Sequence, residues 1–285
     1  MNPEPLLRHL RLLARERHPI SSPASLRWAE RYLLDEFQQL GLHTSTHAFQ
    51  SLGGTYHNVV ASIPARDGCG DRPPLILGAH YDTVMDSPGA DDNASGLAVL
   101  LEVARRLTGV PLAREVRFIG FCLEEADLLG SLAYVADLRG RSAALLGAIV
   151  LECVGFTRSD PGSQRAPAEL PIAVPPCGDF LAIVANSEST ALAEAIEQSV
   201  NREVPELRTA SLVVPGQGEL FPDTRRSDHA AFWRYGYPAV MLTDTADFRN
   251  PHYHRASDTL ETLDFVFMQQ VAAAVTVAAI DLASA

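Results

Sequence analysis

The stretch from Leu75 to Leu101, LILGAHYDTVMDSPGADDNASGLAVLL, constrains the fold more than any other part of the chain. It opens on three consecutive apolar residues, Leu75-Ile76-Leu77, which read as a buried strand. The run stops at a polar cluster in which His80 and Asp82 lie two apart, a spacing that puts both side chains on one side of an extended chain. A loop of Gly, Pro and Asp follows, and apolar residues then recur at helical spacing from Gly96 to Leu107. Strand, acidic loop and helix in this order place an imidazole and a carboxylate at the carboxyl end of a strand, the edge where α/β sheets keep their sites. The pair points to a divalent metal, whose remaining ligands must come from elsewhere in the chain.

The rest of the pattern supports that architecture. Helical spacing predicts helices over 4–17 and 23–40, the second entered through Ser21-Ser22-Pro23 and ended by Gly41. Residues 42–49 and 56–63 alternate as two antiparallel strands around Gly53-Gly54. Further strands are expected over 115–122, 147–151, 180–184, 206–214 and 238–243, and further helices over 128–138, 189–201, 227–235 and 263–282. Strands alternating with helices indicate one α/β domain over 1–285, with a central mixed, mostly parallel sheet flanked by helices on both faces. Two aperiodic stretches, 155–179 and 214–226, are too long for simple connections and read as loops that shape a substrate site.

Composition narrows the class of partner. A net charge of −12 argues against nucleic acid or an anionic membrane surface. The four cysteines, Cys69, Cys122, Cys153 and Cys177, show neither CxxC pairing nor the density of a disulfide scaffold. The first 19 residues alternate Arg with Leu and lack the apolar core of a signal peptide. The apolar C-terminal run is interrupted by Gln269, Gln270 and Asp281, and reads as a packed helix, not a membrane span. A soluble, cytoplasmic protein is expected.

Four segments offer metal ligands: His80 and Asp82 with Asp91 and Asp92, then Glu124-Glu125, then Glu152, then His252 and His254. Each has an ordinary reading alone. A Glu pair after a strand is usually a solvated helix start, a lone Glu is usually surface, and an HxH pair is usually structural. Their recurrence at successive strand ends changes this, because a sheet gathers those ends at one edge.

GAHYDT, PGADDNASG, FCLEEADLLGS, VLECVG and NPHYHRASDT, in this order, resemble the zinc aminopeptidases of metallopeptidase family 28. The resemblance runs from about Leu75 to Leu263. It implies the zinc-dependent exopeptidase fold, of phosphorylase/hydrolase-like type, with two zinc ions sharing a bridging carboxylate at Asp92. His80 and Glu152 would complete the ligands of one ion, Glu125 and His254 those of the other. Glu124 matches the family's general base, and Asp82 the carboxylate that orients the His80 ring. Glu152 stands where many members have Asp, and Ala126-Asp127 where a Gly is common; neither difference removes a ligand.

The chemistry accounts for those residue types. Catalytic zinc takes three protein ligands and keeps a position for water, and a carboxylate can give one oxygen to each of two ions. A free carboxylate must then accept the water's proton. Cobalt or manganese would satisfy the same donors. Asp228 and His229 resemble a family element near the substrate amine, though helix capping explains Asp228 equally well. His252 either faces the cleft or is hydrogen-bonded for structure. Asp91 is expected to organise its loop, and Asp258 and Thr259 to hold the loop of His254.

The implied substrate is a peptide with a free N-terminus, the residue preference being set by the two long loops. Two rivals stand beside this reading: a glutaminyl-cyclase-like acyltransferase with one zinc, and a non-catalytic, receptor-like relative. Such relatives typically lose ligands or the base, whereas this chain keeps all six positions.

Overall fold

Eight strands form one mixed sheet in the order β1-β2-β4-β3-β5-β8-β6-β7, as seen in a computed structural model that describes residues 4–66, 68–167, 170 and 173–284. The strands are β1 (His43–Ser51), β2 (Gly54–Ile63), β3 (Leu75–His80), β4 (Val116–Phe121), β5 (Gly147–Glu152), β6 (Leu181–Asn186), β7 (Thr209–Val214) and β8 (Ala239–Thr243). The helices are α1 (Glu4–Leu13), α2 (Pro23–Gln39), α3 (Gly96–Leu107), α4 (Leu129–Gly140), α5 (Thr190–Glu203), α6 (His229–Arg234) and α7 (Phe265–Ser284). The expected mixed α/β sheet, covered on both faces, is therefore present.

Its centre is the parallel run β4-β3-β5-β8. Every residue of β3, β5 and β8 is buried, which explains why these strands read as continuous apolar runs instead of alternating ones. Antiparallel β2 closes one side, and β6, antiparallel to β8, begins the other. On one face the core gathers Leu77, Phe118 and Ile149 with side chains of α1, α2, α3, α5 and α7; on the other, Ile76, Ile119 and Ala148 pack under α4 and α6. Helix α7 is long and apolar enough to cross a membrane by length and composition. Here it buries Phe267, Met268, Val271 and Val275 against α3 and α5, each worth about 1.5–3 kcal/mol. It is an inner helix of this domain.

Two boundaries differ from the periodicity by three residues or more. Helix α1 ends at Leu13 and not at residue 17, because the chain unwinds to carry Arg17 inward, where the side chain is fully buried. Strand β7 starts at Thr209 and not at residue 206, since Val204 and Leu207 pack as a turn after α5, with the Leu207 amide donating to Val204 O. Stretch 155–179 makes only an isolated bridge, Arg158 with Gly178, among its described residues.

Candidate metal centre

The parallel strands β4, β3, β5 and β8 all run toward the same edge, and each delivers a part of the site there. Strand β3 ends on His80, β5 ends on Glu152, β4 runs into Glu124-Glu125, and the segment after β8 carries His254. Asp92 comes from the turn between β3 and α3.

Asp92 lies at the middle. Its Oδ1 is 3.2 Å from His80 Nε2, and its Oδ2 is 2.9 Å from His254 Nε2. His80 Nε2 is also 3.4 Å from Glu152 Oε2 and 3.9 Å from Glu124 Oε2. His254 Nε2 is 3.2 Å from Glu125 Oε2. Two groups of potential ligands therefore share one carboxylate: His80, Asp92 and Glu152, and Asp92, Glu125 and His254, each with its donor atoms within 4.8 Å of one another.

The donor set can be tested for a cation by asking which atoms lack partners. His80 Nε2, Asp92 Oδ1 and Glu125 Oε1 are buried and make no hydrogen bond. A buried polar atom left unpaired costs about 1–3 kcal/mol, and all three belong to residues of the two ligand groups. Imidazole nitrogen with carboxylate oxygen is the donor chemistry of zinc sites. The residues suit divalent cations.

The electrostatics agree. Burial alone would depress His80, but Glu152 and Glu124 reverse this and hold it well above its usual value. Burial also opposes a charge on His254, yet Asp92 and Glu125 raise it to about 10. Burial raises Glu124, and burial followed by Asp92 takes Glu125 up to about 7. The carboxylates that raise both imidazoles would equally favour a cation between them.

The supports are specific. Asp82 is fully buried, and its carboxylate accepts the amides of Glu124 (3.0 Å) and Glu125 (3.1 Å). His80 Nδ1 donates to the Asp82 carbonyl at 3.2 Å, with Asp82 Oδ1 at 3.6 Å. Asp82 thus stands behind His80 and also fixes the Glu pair. Asp258 accepts the amides of Asp91 (2.8 Å) and Asp92 (3.1 Å), so the segment carrying His254 holds the turn carrying Asp92. Asp91 turns away, accepting from Gly155 N (2.9 Å) and Asn250 Nδ2 (2.7 Å). Asn93 spans from its turn to β5, donating to Leu151 O at 2.8 Å and accepting from Gly96 N at 3.1 Å. Gly89, at φ +59, precedes the turn; a Cβ there would lie 2.2 Å from Asp92 O. Leu123, Cys153 and His254 also sit at positive φ (61°, 48° and 58°), a strain that non-glycine residues tolerate where the surroundings enforce it.

The other candidates belong to neither ligand group. Asp228 and His229 are fully buried and do not line the cavity that adjoins the cluster. His229 Nε2 donates to Thr224 O at 2.8 Å, and its ring meets Trp233 edge-on. Burial pulls His229 down to about 4 and pushes Asp228 up to about 7. His252 bonds Ser257 Oγ through Nδ1 at 3.0 Å and contacts Phe156, with no ligand in reach. The periodicity also hides two residues. Tyr253 stacks on the His254 ring at 3.8 Å; an aromatic between two candidate ligands was the available signal. Arg17 looked like one more basic residue on an amphipathic helix.

A cavity of about 260 Å³ adjoins the cluster and shares Glu152 and Tyr253 with it. Phe180, Ala182, Val184, Leu212 and Met241 make its apolar floor, and loops carrying Gln164, Arg165, Thr224, Arg226 and Asp247 make its walls. Residues from both long aperiodic stretches line it.

The description Peptidase family M28 matches residues 58–279. The chain is 33% identical to YfbL, an uncharacterised protein of Escherichia coli, over 95% of this chain and 85% of that one. It is 27% identical to leucine aminopeptidase 1 of Trichophyton equinum over 74% of this chain, and spans only 54% of that protein's length. Among solved structures it is similar to BSAP, a zinc aminopeptidase from Bacillus subtilis, with a TM-score of 0.62 and 26% identity, covering 82% of this chain and 52% of the other. A Macrostomum lignano glutaminyl cyclase shares the fold, with a TM-score of 0.73 at 18% identity over 98% of this chain and 88% of the other. With its ligand groups gathered at one sheet edge and the family match running from β2 into α7, the chain belongs to peptidase family M28.

Proposed function

We propose that this protein is a metal-dependent aminopeptidase that removes N-terminal residues from peptides through a pair of zinc ions. The observation that carries this reading is Asp92, whose two oxygens face two different imidazoles. His80, Asp92 and Glu152 would hold one ion, and Asp92, Glu125 and His254 the other. Bound zinc supplies a water of lowered pKa and polarises the scissile carbonyl.

The chain's own groups do the rest. Glu124 is buried beside the cluster and free of backbone contacts through its carboxylate, so it accepts a proton from the attacking water and returns it to the departing amine nitrogen. The C–O bond forms first, and the peptide C–N bond breaks once the departing nitrogen has taken the proton, releasing an amino acid and the shortened peptide. Asp82 keeps Glu124 and Glu125 in register and fixes which His80 nitrogen faces the ligands. The apolar cavity beside Glu152 receives the first side chain. Tyr253, between cluster and cavity, has a hydroxyl placed to hydrogen-bond substrate; Arg226 Nη2 already donates to it at 3.3 Å. Asp228 and His229 are positioning residues under the cavity wall.

The shared fold with a glutaminyl cyclase makes single-zinc acyl transfer the second reading. Two complete ligand groups favour the hydrolase. The deciding experiment counts zinc per chain by mass spectrometry under native conditions, then assays aminoacyl anilides and pyroglutamate formation before and after chelation. Two zinc ions and anilide release that chelation abolishes and zinc restores are expected. One zinc with pyroglutamate formation would overturn the reading.

A further inference from the structure

Arg17 is a fully buried cation with no carboxylate as a direct partner among the described residues. Its guanidinium donates only to backbone carbonyls: Tyr81 O (2.8 Å), Arg15 O (2.7 Å), Pro88 O (3.2 Å), Gly89 O (3.2 Å) and Leu13 O. Its own amide donates to Thr83 Oγ1 at 2.8 Å. These acceptors belong to the end of α1 and to the segment running from His80 toward Asp92. The guanidinium is therefore the object around which the connection between two ligands is folded. Asp82, Asp92, Asp258 and Glu125 act on it through space, and although burial pulls it down to about 10 it stays cationic at neutral pH.

The turn of Asp92 is thus gripped from two sides. Asp258 takes its amides, while Arg17 takes the carbonyls that lead into it. We propose that Arg17 is a positioning residue for the bridging carboxylate, so that the segment after α1 is part of the metal centre. The proposal rests on the metal site proposed above. A planar fork with five N–H groups can serve carbonyls spread around it, whereas an ammonium has three donors on a flexible stem. Displacing a catalytic group by about 1 Å can cost about 100-fold in rate, and losing a residue that orients a ligand typically costs 10–100-fold in metal affinity.

The test compares Arg17→Met and Arg17→Lys with the parent chain, using zinc alone as probe. Arg17→Met is expected to weaken zinc binding about 10-fold or more by competition with a chromophoric chelator, and to shift the visible spectrum of the cobalt-substituted protein. With zinc saturating, kcat should fall about 100-fold while KM stays within about threefold. Arg17→Lys should recover part of the affinity. A merely structural role would lower the unfolding midpoint and leave zinc affinity per folded molecule and the cobalt spectrum unchanged. That result in folded Arg17→Met overturns the proposal. If neither variant folds, Thr83→Val removes one acceptor and keeps the guanidinium; it must weaken zinc binding several-fold, and unchanged affinity is equally fatal. A parent chain that binds no zinc would instead refute the metal centre itself.

Discussion

The metal centre and the cavity beside it share Glu152 and Tyr253 but are built differently. The ligands stand on the ends of buried parallel strands, and their supports are carboxylates that accept backbone amides, as Asp82 and Asp258 do. The cavity has a floor of strand residues but walls of loop, tied by side chains that reach across sequence. Gln164 Nε2 donates to Thr245 Oγ1 (2.8 Å), Arg249 Nε donates to Gln164 Oε1 (2.9 Å), and Arg226 pairs with Asp247 (2.9 Å). The Arg226–Asp247 tie is exposed, where an ion pair is worth only about 0–1 kcal/mol. A reaction centre must hold its geometry against strong charge. A specificity wall can vary without disturbing the chemistry.

The largest effect that would sharpen this contrast is at Glu124. Glu124→Gln keeps the side chain's shape and removes the proton acceptor. Turnover should fall about 10²- to 10⁴-fold for every substrate, with both zinc ions retained. Equal activity in a zinc-loaded variant would remove Glu124 as the base.

A second effect lies under the cavity wall and is read in stability. His229 is neutral in the folded protein, pulled down from 6.5 to about 4 by burial. A depressed histidine contributes stability that is complete above pH 6.5 and disappears as pH falls through 4. The whole interval corresponds to roughly 3 kcal/mol. His229→Gln removes this titration, so the urea midpoint of the metal-free protein should fall less steeply between pH 7 and 4 than that of the parent chain. Parallel curves would show that His229 is not held neutral.

The same contrast explains what the sequence reveals. Ligands are legible because metal chemistry admits few residue types, and strand ends place them at predictable intervals; His80, Asp92, Glu124, Glu125, Glu152 and His254 do meet. The sheet is legible because β3, β5 and β8 are apolar up to the polar residues on which they end. Supports are harder to see. Asp258 was expected to hold its own loop; its amide does donate to Arg255 O, and its carboxylate also reaches back to the amides of Asp91 and Asp92. Arg17 has the spacing of a surface residue, and only the tertiary path of residues 81–89 gives it carbonyls to bind. The cavity wall has no periodicity at all, since loop side chains tied across some eighty residues, such as Gln164 and Thr245, leave no local pattern.

The smallest effect tests whether the wall and floor act on the side chain alone. Ala210 lines the cavity from edge strand β7 and is half-buried, next to Leu212 of the floor. Ala210→Phe would fill part of the 260 Å³ at an edge where the backbone can adjust, and overpacking typically costs about 1–3 kcal/mol. A substrate whose first side chain is large must then compete with the new ring for space. Its kcat/KM is expected to fall about 10-fold, a difference of about 1.4 kcal/mol in transition-state binding. An alanyl substrate, which needs little of the cavity, should stay within about threefold. Zinc content should not change, because no support of the ligands passes through β7. The discriminating measurement is the ratio of leucyl to alanyl anilide hydrolysis in parent and variant. A uniform loss across both substrates would mean that the cavity and the metal centre are coupled, and the division between them would fail.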